Sequence, residues 1–213
     1  MVDRRGMAPA FLDVSGLSCR RGGRRVFEGL SFGLGAGELL TLTGPNGSGK
    51  TTLLRALALL VPSDAGAIQW RGADVTADRE AWRKRLGWLG HQEGLKADLS
   101  VRENISIACR LRGESVHRNR IDEALAAFDL VRLSHRPART LSAGQRRRAA
   151  LARLVAGEAQ VWLLDEPFNA LDAPSQAALR DVMETHIEDG GLAIAATHVS
   201  LGLRGARTLE LGK

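Results

Sequence analysis

The hydrophobic and polar positions of this chain follow two different spacings, which predict strands and helices in alternation. Residues 10–35 are predicted to form an extended hairpin that turns at Gly22 and Gly23. Residues 67–75 predict a second hairpin with its turn at Gly72. Short continuous apolar runs predict buried strands, and these runs lie at residues 38–43, 161–164 and 192–197.

Helical spacing predicts three helices, over residues 50–61, 143–156 and 172–190. The middle third of the chain is different, since residues 100–130 predict two helices and no strand. The first begins at a capping box of Ser100 and Glu103 and ends near Gly113. On the second, one face is shared by Ile121, Ala124, Leu125 and Phe128.

Short apolar strands that alternate with helices are typical of an α/β protein, with a mainly parallel sheet flanked by helices on both faces. The N-terminal hairpins add an antiparallel β part. At about 150 residues per domain, a chain of 213 residues is expected to form a single domain. Its core is predicted to comprise residues 1–91 and 142–213, with a helical lobe inserted at about residues 92–141.

Composition narrows the classes of protein that this chain can be. With 44% hydrophobic and 25% charged residues it resembles ordinary globular proteins, which excludes a disordered tail and a disulfide mini-protein. The chain has 26 Arg and 4 Lys, and its net charge of +6 is compatible with a nucleotide, nucleic acid or anionic membrane as partner. Arg-rich codon usage explains the same balance equally well.

The lack of a recognisable targeting segment and the spacing of the two cysteines favour a cytoplasmic location. No apolar run approaches the ~20 residues that a membrane-spanning helix needs. Residues 1–10 contain charges but no apolar segment, so no secretory signal is predicted. Cys19 and Cys109 stand in no metal or redox spacing and are expected to be ordinary thiols.

A glycine-rich segment between a predicted strand and a predicted helix is the strongest chemical motif. Residues 44–51, GPNGSGKT, match the pattern G-x-x-x-x-G-K-[ST]. The glycines allow backbone N–H groups to point inward at phosphates, and the helix N-terminus adds partial positive charge. A turn that merely starts a helix is the alternative. We assign to this phosphate loop Gly44, Pro45, Asn46, Gly47, Ser48, Gly49, Lys50, Thr51 and Thr52.

Two carboxylates follow the buried strand at residues 161–164, at the end of a strand where α/β sheets bind ligands. Asp165 is predicted to hold Mg²⁺ together with the Thr51 hydroxyl. Glu166 is expected to orient or deprotonate a water molecule. His198 follows the next apolar strand, so we expect it at the same sheet edge, in reach of a γ-phosphate.

A second anion site is predicted at residues 141–145, LSAGQ, which precede an Arg-rich helix. Here Ser142 supplies a hydroxyl and Gly144 an N–H group at a helix start. A plain P-loop enzyme needs only one phosphate-binding element, and this chain has two.

Together these motifs resemble the ATP-binding subunits of ABC transporters over nearly the whole chain. GPNGSGKT, Gln92, LSAGQ, VWLLDEP, NALD at residues 169–172 and His198 stand in that family's order. The resemblance implies the P-loop NTPase fold of the ABC cassette and a homodimer of head-to-tail subunits. ATP is then sandwiched between the phosphate loop of one copy and the LSAGQ segment of the other.

The resemblance also implies roles for single residues. Ser142, Gly144 and Gln145 act on the nucleotide in trans. Gln92 contacts Mg²⁺ or water and senses the transmembrane permease, so it joins Glu166 and His198 as a catalytic residue. Asp172 couples the two sites across the dimer.

This chain departs from the family pattern at three positions. Ala143 replaces the first Gly of the usual LSGGQ, and Asn169 stands where Ser is common. The family normally stacks an aromatic side chain on adenine, whereas the matching stretch here is CRRGGRR. We hypothesise that the Arg21 guanidinium stacks on the base instead. The alternative is that Arg21 is an exposed arginine in a basic hairpin.

A finer resemblance points to the haem-exporter ATPase subunits of cytochrome c maturation, carried by residues 90–104, LSAGQ and DEPFNALD. It implies two copies docked on a membrane channel at the cytoplasmic face of the cell inner membrane, without nucleic acid as partner. ATP hydrolysis then drives haem delivery or release of a haem-loaded chaperone.

Three other functions are compatible with parts of the sequence. An exporter of another small substrate would carry the same motifs. A non-transport ABC ATPase acting on nucleic acid fits the basic charge, but the segment between Lys50 and Asp165 contains no heptads of a long coiled coil. A regulatory module without turnover is disfavoured because Glu166, His198 and Gln92 are all present.

Overall fold

The computed structural model describes residues 11–115 and 117–212, so the N-terminal segment examined for a secretory signal lies outside the described residues. The strands are β1 (Leu12–Arg21), β2 (Arg24–Leu34), β3 (Leu39–Thr43), β4 (Ala65–Trp70), β5 (Ala73–Asp74), β6 (Leu86–Leu89), β7 (Val161–Asp165), β8 (Leu192–Ala196) and β9 (Arg207–Glu210). The helices are α1 (Lys50–Leu57), α2 (Arg79–Lys84), α3 (Val101–Leu111), α4 (Arg118–Ala127), α5 (Ala143–Val155) and α6 (Ala173–Glu188).

The strands form two sheets, which confirms the predicted α/β class. One sheet is antiparallel, with the order β2-β1-β4-β5, and contains both predicted hairpins. The other has the order β6-β7-β8-β3-β9, and all of its pairings are parallel. The central strands β7 and β8 are buried at every position, as their continuous apolar runs predict.

Two hydrophobic clusters cover the faces of the parallel sheet. Between the two sheets, α1 inserts Leu53, Leu54 and Leu57, each of them fully buried. The other cluster joins the opposite face of the sheet to α3, α4, α5 and α6. Burying one apolar stripe of each helix in this way stabilises the layers by roughly 25 cal/mol per Å² of apolar surface removed from water.

Side-chain caps set the start of three helices at the predicted residues. Ser100 and Glu103 form the predicted capping box of α3, and Asp172 accepts a hydrogen bond from the Ser175 N–H at the start of α6. A second capping box, which joins Ser142 and Gln145, begins α5. These interactions are local, so the residue types alone predict them.

The first helix is shorter than its apolar pattern predicts. It ends at Leu57, although the predicted segment continues to residue 61. Leu59 adopts a left-handed conformation with φ 53°, and Leu60 N–H donates to the Arg55 carbonyl at 2.9 Å. Such a C-terminal hydrogen bond satisfies an end carbonyl and stops the helix before any proline is reached.

Residues 100–130 are helical without a strand, as predicted, in α3 and α4. The shared face of α4 and Phe128 is buried against α5, which explains its apolar spacing. The limits of an inserted lobe at about residues 92–141 stay a prediction.

Cys19 and Cys109 are buried free thiols, and burial raises the pKa of each.

Three short elements escaped the sequence analysis: α2, β6 and β9. The strand β6 is LGWL, where Gly87 interrupts the apolar run, yet it pairs with β7 along its whole length. A Cβ on Gly87 would lie 2.5 Å from Leu154 Cδ1, so close packing of α5 on the sheet requires glycine there.

Among the described residues, no helix is both long and apolar enough to cross a membrane.

Candidate functional site

The phosphate loop connects β3 to α1 at the carboxyl edge of the parallel sheet. Gly44, Gly47 and Gly49 have φ values of 133°, 82° and 101°, which L side chains rarely adopt. Space is also limiting, because a Cβ on Gly44 would lie 2.3 Å from the Leu211 carbonyl oxygen. The glycine positions of the motif are therefore required by the backbone and by its packing.

Lys50 is folded back into this loop and is only 8% exposed. Its Nζ donates to the carbonyl oxygens of Gly44 at 2.7 Å and Pro45 at 3.1 Å. Nearby, the Ser48 hydroxyl oxygen is buried and has no hydrogen-bond partner among the described residues. A buried cation with a spare donor and an unpaired hydroxyl in one glycine-rich loop fit an oxyanion such as phosphate.

The remaining loop residues differ in exposure. Asn46 and Gly47 are exposed at the tip of the loop, whereas Thr52 is half-buried in the first turn of α1. Thr51, also half-buried, points its hydroxyl towards the end of β7. The structure thus assembles one cradle from a segment that is contiguous in the sequence.

Asp165, the last residue of β7, meets Thr51 across the sheet edge. Thr51 Oγ1 donates to the two carboxylate oxygens of Asp165 at 2.9 and 3.2 Å, and Asp165 is 6% exposed. Among the described residues, no cluster of three or more His, Cys, Asp or Glu could hold a metal by itself. One carboxylate and one hydroxyl beside a phosphate cradle fit Mg²⁺, which takes most of its other ligands from phosphates and water.

Glu166 follows Asp165 with a left-handed backbone, φ 46°, which is uncommon outside glycine. Its N–H donates to the Ala196 carbonyl at 2.9 Å, and its Oε1 lies 3.5 Å from Nε2 of His198. His198 remains 48% exposed at the side chain. The two predicted catalytic side chains therefore face each other at the ends of β7 and β8.

Gln92 is exposed beyond the end of β6, the strand next to β7. A buried arginine links its segment to the carboxylates: Arg147 donates to the carbonyls of Gly90 at 2.9 Å, Asp165 at 3.1 Å and Glu166 at 2.6 Å. Arg147 is not among the predicted site residues, because the run of three arginines suggests a solvated helix start.

A signal for Arg147 was nevertheless present in the sequence. It stands at helical spacing i, i+3, i+4 and i+7 with Ala150, Leu151 and Leu154, all of which are buried. A charged residue on the apolar face of a helix needs polar partners inside the protein. That position alone could have identified it as a site residue.

The LSAGQ segment lies apart from the phosphate loop within one chain. Ser142 and Gln145 bond each other in the capping box, Ser142 N–H donating to Gln145 Oε1 at 2.9 Å. Gly144 packs on the NALD segment, where a Cβ on it would lie 3.2 Å from the Ala170 carbonyl oxygen. None of the hydrogen bonds of the described residues joins residues 141–145 to residues 44–51.

Asp172 closes the NALD segment and caps α6. Hydrogen bonds from the side chain and the backbone N–H of Ser175 lower the pKa of Asp172 below its usual value. The carboxylate is therefore ionised at neutral pH. Its role between two sites stays a prediction.

Arg21 is exposed at the tip of the first hairpin, where it pairs with Arg24. The second strand of this hairpin runs over the phosphate loop, since a Cβ on Gly49 would lie 2.6 Å from Val26 Cγ1. The hairpin is thus next to the cradle, but the structure shows no contact that tests stacking by Arg21.

Comparison with protein families matches residues 27–169 to the family described as "ABC transporter". A Cupriavidus necator protein named "Cytochrome c biogenesis ATP-binding export protein CcmA" is 48% identical over 200 residues, 94% of this chain and 87% of its own length. A Methylococcus capsulatus protein of the same name is 44% identical over 206 residues, 96% of this chain and 100% of its own length.

Solved structures share the fold at low sequence identity. An ATP-binding subunit of an ABC transporter superposes with a TM-score of 0.83 at 23% identity, covering 94% of this chain and 85% of the other. A dimeric ATP-binding cassette in a post-hydrolysis state with ADP and phosphate has a TM-score of 0.83 at 22% identity, covering 94% of each chain.

Proposed function

The chain belongs to the ABC transporter family, and from this premise we propose that it is the ATP-hydrolysing subunit of an exporter in cytochrome c biogenesis. One observation carries the proposal: the Lys50 loop adjoins the Thr51–Asp165 pair, and Glu166 follows directly after the strand. In the part of the chain that the structure describes, the buried Ser48 hydroxyl of this loop has no hydrogen-bond partner. A triphosphate cradle, metal ligands and a water-orienting carboxylate then share one sheet edge.

The chain's own residues would bind and orient the triphosphate. Backbone N–H groups of the loop and the start of α1 donate to phosphate oxygens, and Lys50 exchanges its bonds to Gly44 and Pro45 for the β- and γ-phosphates. Thr51, Asp165 and Gln92 would hold Mg²⁺, which neutralises charge on the phosphate oxygens. Such a cradle needs no covalent chemistry from the protein.

Glu166 and His198 would control the attacking water. The Glu166 carboxylate accepts a hydrogen bond from the water and orients it in line with the γ-phosphate. His198, whose Nε2 lies 3.5 Å from Oε1 of Glu166, would donate a hydrogen bond to a γ-phosphate oxygen. Hydrolysis then depends mainly on positioning and charge stabilisation.

The second half of each site would come from a second copy of the chain. Ser142, Gly144 and Gln145 lie at the start of α5, and no hydrogen bond among the described residues joins this segment to the phosphate loop of the same chain. We propose a head-to-tail homodimer in which they bind the partner's ATP. A solved cassette of the same fold is dimeric with ADP and phosphate bound, which supports a dimer.

Transport requires a membrane partner. We propose that two copies dock on a transmembrane permease at the cytoplasmic face of the inner membrane, in contact with the helical segment near Gln92. The exported species would be haem, or haem released to a chaperone, as the relatives' role in cytochrome c biogenesis suggests. Co-purification with a membrane subunit, and haem transfer by that complex, test this proposal against export of another small substrate.

ATPase activity per subunit is expected to increase with protein concentration, because each site is complete only in the dimer. The measurement is the initial rate of phosphate release by the purified full chain with MgATP, over a wide range of concentrations. A specific activity that is constant from low to high concentration, for a chain shown to be monomeric, would contradict trans completion.

Arg21→Ala is expected to raise the Kd for ATP by about 3- to 10-fold, the size of a cation–π or stacking contact. Arg24→Ala, which removes the exposed arginine paired with Arg21 in the hairpin, is the control and should leave the Kd unchanged. Calorimetric titration measures the Kd for ATP and for inorganic triphosphate, which lacks the base. Loss of a contact with the base should change only the Kd for ATP. An ATP affinity that Arg21→Ala leaves unchanged would eliminate the stacking role.

A further inference from the structure

We propose that Arg147 is a positioning residue for ATP hydrolysis, which holds from α5 the backbone that carries Glu166 and Gln92. This inference rests on the proposed function, since it assigns a role within the same reaction. Among the described residues, Arg147 makes no hydrogen bond to a carboxylate oxygen or to the phosphate loop. Its Nη1 and Nη2 donate to main-chain carbonyls, and its buried Nε has no partner there.

The contacts of Arg147 converge from two strand ends. Its Nη1 donates to Gly90, the residue that follows β6, at 2.9 Å. Its Nη2 donates to Asp165 at 3.1 Å and to Glu166 at 2.6 Å, at the end of β7. One planar guanidinium thereby sets the spacing between the Gln92 segment and the two carboxylate residues.

Burial makes these contacts obligatory. Arg147 is 4% exposed, and desolvation lowers its pKa, while the charges of Glu93, Asp165 and Glu166 act in the opposite direction. A buried charge is costly unless hydrogen bonds satisfy it. The Arg147 guanidinium therefore stays in place only while the three carbonyls point at it. In turn, the guanidinium holds the backbone that carries these carbonyls.

Glu166 depends most on this arrangement. Its φ of 46° is uncommon for a residue other than glycine and persists only where the surrounding structure holds its peptide groups. The Ala196 carbonyl holds its N–H, and Arg147 holds its carbonyl. Without Arg147 we expect the peptide to relax, which moves the carboxylate away from the water that it orients.

A second arginine of α5 holds the other side of Gln92. Arg153 donates to the carbonyls of Glu93 at 2.7 Å and Gly94 at 2.5 Å. Gln92 thus lies between two backbone anchors from the same helix. Ser142 caps α5 and Gly144 lies in its first turn, so the partner's nucleotide would bind at the start of this helix. A shift of α5 on that binding would move Gln92 and Glu166 of the same chain, because Arg147 and Arg153 tie their backbone to the helix.

Arg148 is a matched control on the same helix. It is a half-buried arginine that also donates to a backbone carbonyl, that of Phe128 at 3.0 Å, and it lies near Asp129. These contacts belong to the helical segment and touch neither Gly90 nor Glu166. Its substitution therefore reports the structural cost of removing an arginine from α5.

The test compares R147Q, R147K and R148Q in the full-length chain. For R147Q we expect kcat to fall by about 100-fold with the KM for ATP within about 2-fold, as for misplacement of a catalytic group. R147K keeps the charge but carries its three donors on a single nitrogen, which cannot replace both Nη1 and Nη2, so its kcat should lie between those of wild type and R147Q. R148Q should keep kcat within about 2-fold, even where its melting temperature falls as much as that of R147Q.

Hydrogen exchange provides a readout without ATP. In R147Q, amides of residues 90–94 and 165–169 should exchange about 10-fold faster, while those of α6 and the N-terminal hairpin stay unchanged. The proposal is overturned if R147Q keeps both the wild-type kcat and the wild-type rates of amide exchange. It is also overturned if R147Q and R148Q lower kcat by the same factor. The proposal also fails if both Arg147 variants do not fold while R148Q does.

The two proposals fail separately. A wild-type chain that hydrolyses no ATP at any concentration, alone or with its membrane partner, contradicts the proposed function and with it any positioning role in hydrolysis. A wild-type chain that hydrolyses ATP, with R147Q as active as wild type, contradicts the role of Arg147 alone.

Discussion

Glu166→Gln is expected to lower kcat for ATP hydrolysis by about 10²- to 10⁴-fold and to leave ATP binding intact. The amide has nearly the same shape as the carboxylate, so the left-handed backbone and the bond to Ala196 are preserved. The lost property is the negative charge that accepts a proton or orients water. Because hydrolysis no longer separates the subunits, ATP should hold them together as a stable dimer.

Three measurements on one preparation check this prediction: phosphate release, ATP affinity and mass in solution with MgATP. Glu184→Gln is the control, since Glu184 is an exposed carboxylate on α6 and should keep wild-type behaviour in all three. If Glu166→Gln retains more than about a tenth of the wild-type kcat, another group activates the water. If it binds ATP but never dimerises, the head-to-tail assembly is wrong.

Gly144→Asp and Lys50→Met are each expected to abolish hydrolysis, and a mixture of the two is expected to recover it. Asp is well tolerated at a helix start, so Gly144→Asp should fold after a small shift of the Ala170 carbonyl, 3.2 Å from the added Cβ. Its carboxylate would repel the partner's phosphates. Lys50→Met removes the buried cation of the phosphate loop.

The recovery in the mixture follows from the proposed symmetry. In a heterodimer, the site formed by the Lys50 loop of one chain and the Ser142 helix start of the other is intact, whereas the second site carries both defects. Random pairing of equal amounts then yields about a quarter of the sites intact. Phosphate release measured against mixing ratio should peak at equal amounts.

A mixture that stays inactive, although both variants are folded and dimerise, would contradict trans completion. Activity in Gly144→Asp alone, comparable to wild type, would exclude Gly144 from the site. The control is a mixture of Lys50→Met with Lys50→Met/Gly144→Asp, in which no intact site forms.

Local interactions made a large part of this protein predictable. The caps at Ser100 and Asp172 join residues three positions apart, and the phosphate loop is one contiguous segment, residues 44–51. Residue type and spacing therefore suffice to predict them. The buried strands β7 and β8 were equally clear, because residues 161–164 and 192–196 are continuous apolar runs.

Predictions were wrong or missing for two different reasons. The end of α1 is set by the left-handed conformation of Leu59, a local feature that the apolar pattern does not reveal. The strand β6 forms because the distant strand β7 pairs with it despite Gly87. The stacking role of Arg21 and the roles of the other site residues stay predictions, since they concern ligands and a partner chain.

The sequence by itself determined the family, the order of the motifs and the glycine-rich segment that forms the phosphate loop, because each motif is a short stretch whose chemistry is set by its own residue types. The sequence placed Thr51, Asp165 and His198 at one site, but only the tertiary structure decided the hydrogen bond from Thr51 to Asp165 and the 3.5 Å distance between Glu166 and His198. It alone decided that Arg147 joins the strand ends. These contacts unite residues far apart in the chain, and their geometry follows from strand order and from packing of α5 on the sheet, which no local pattern encodes.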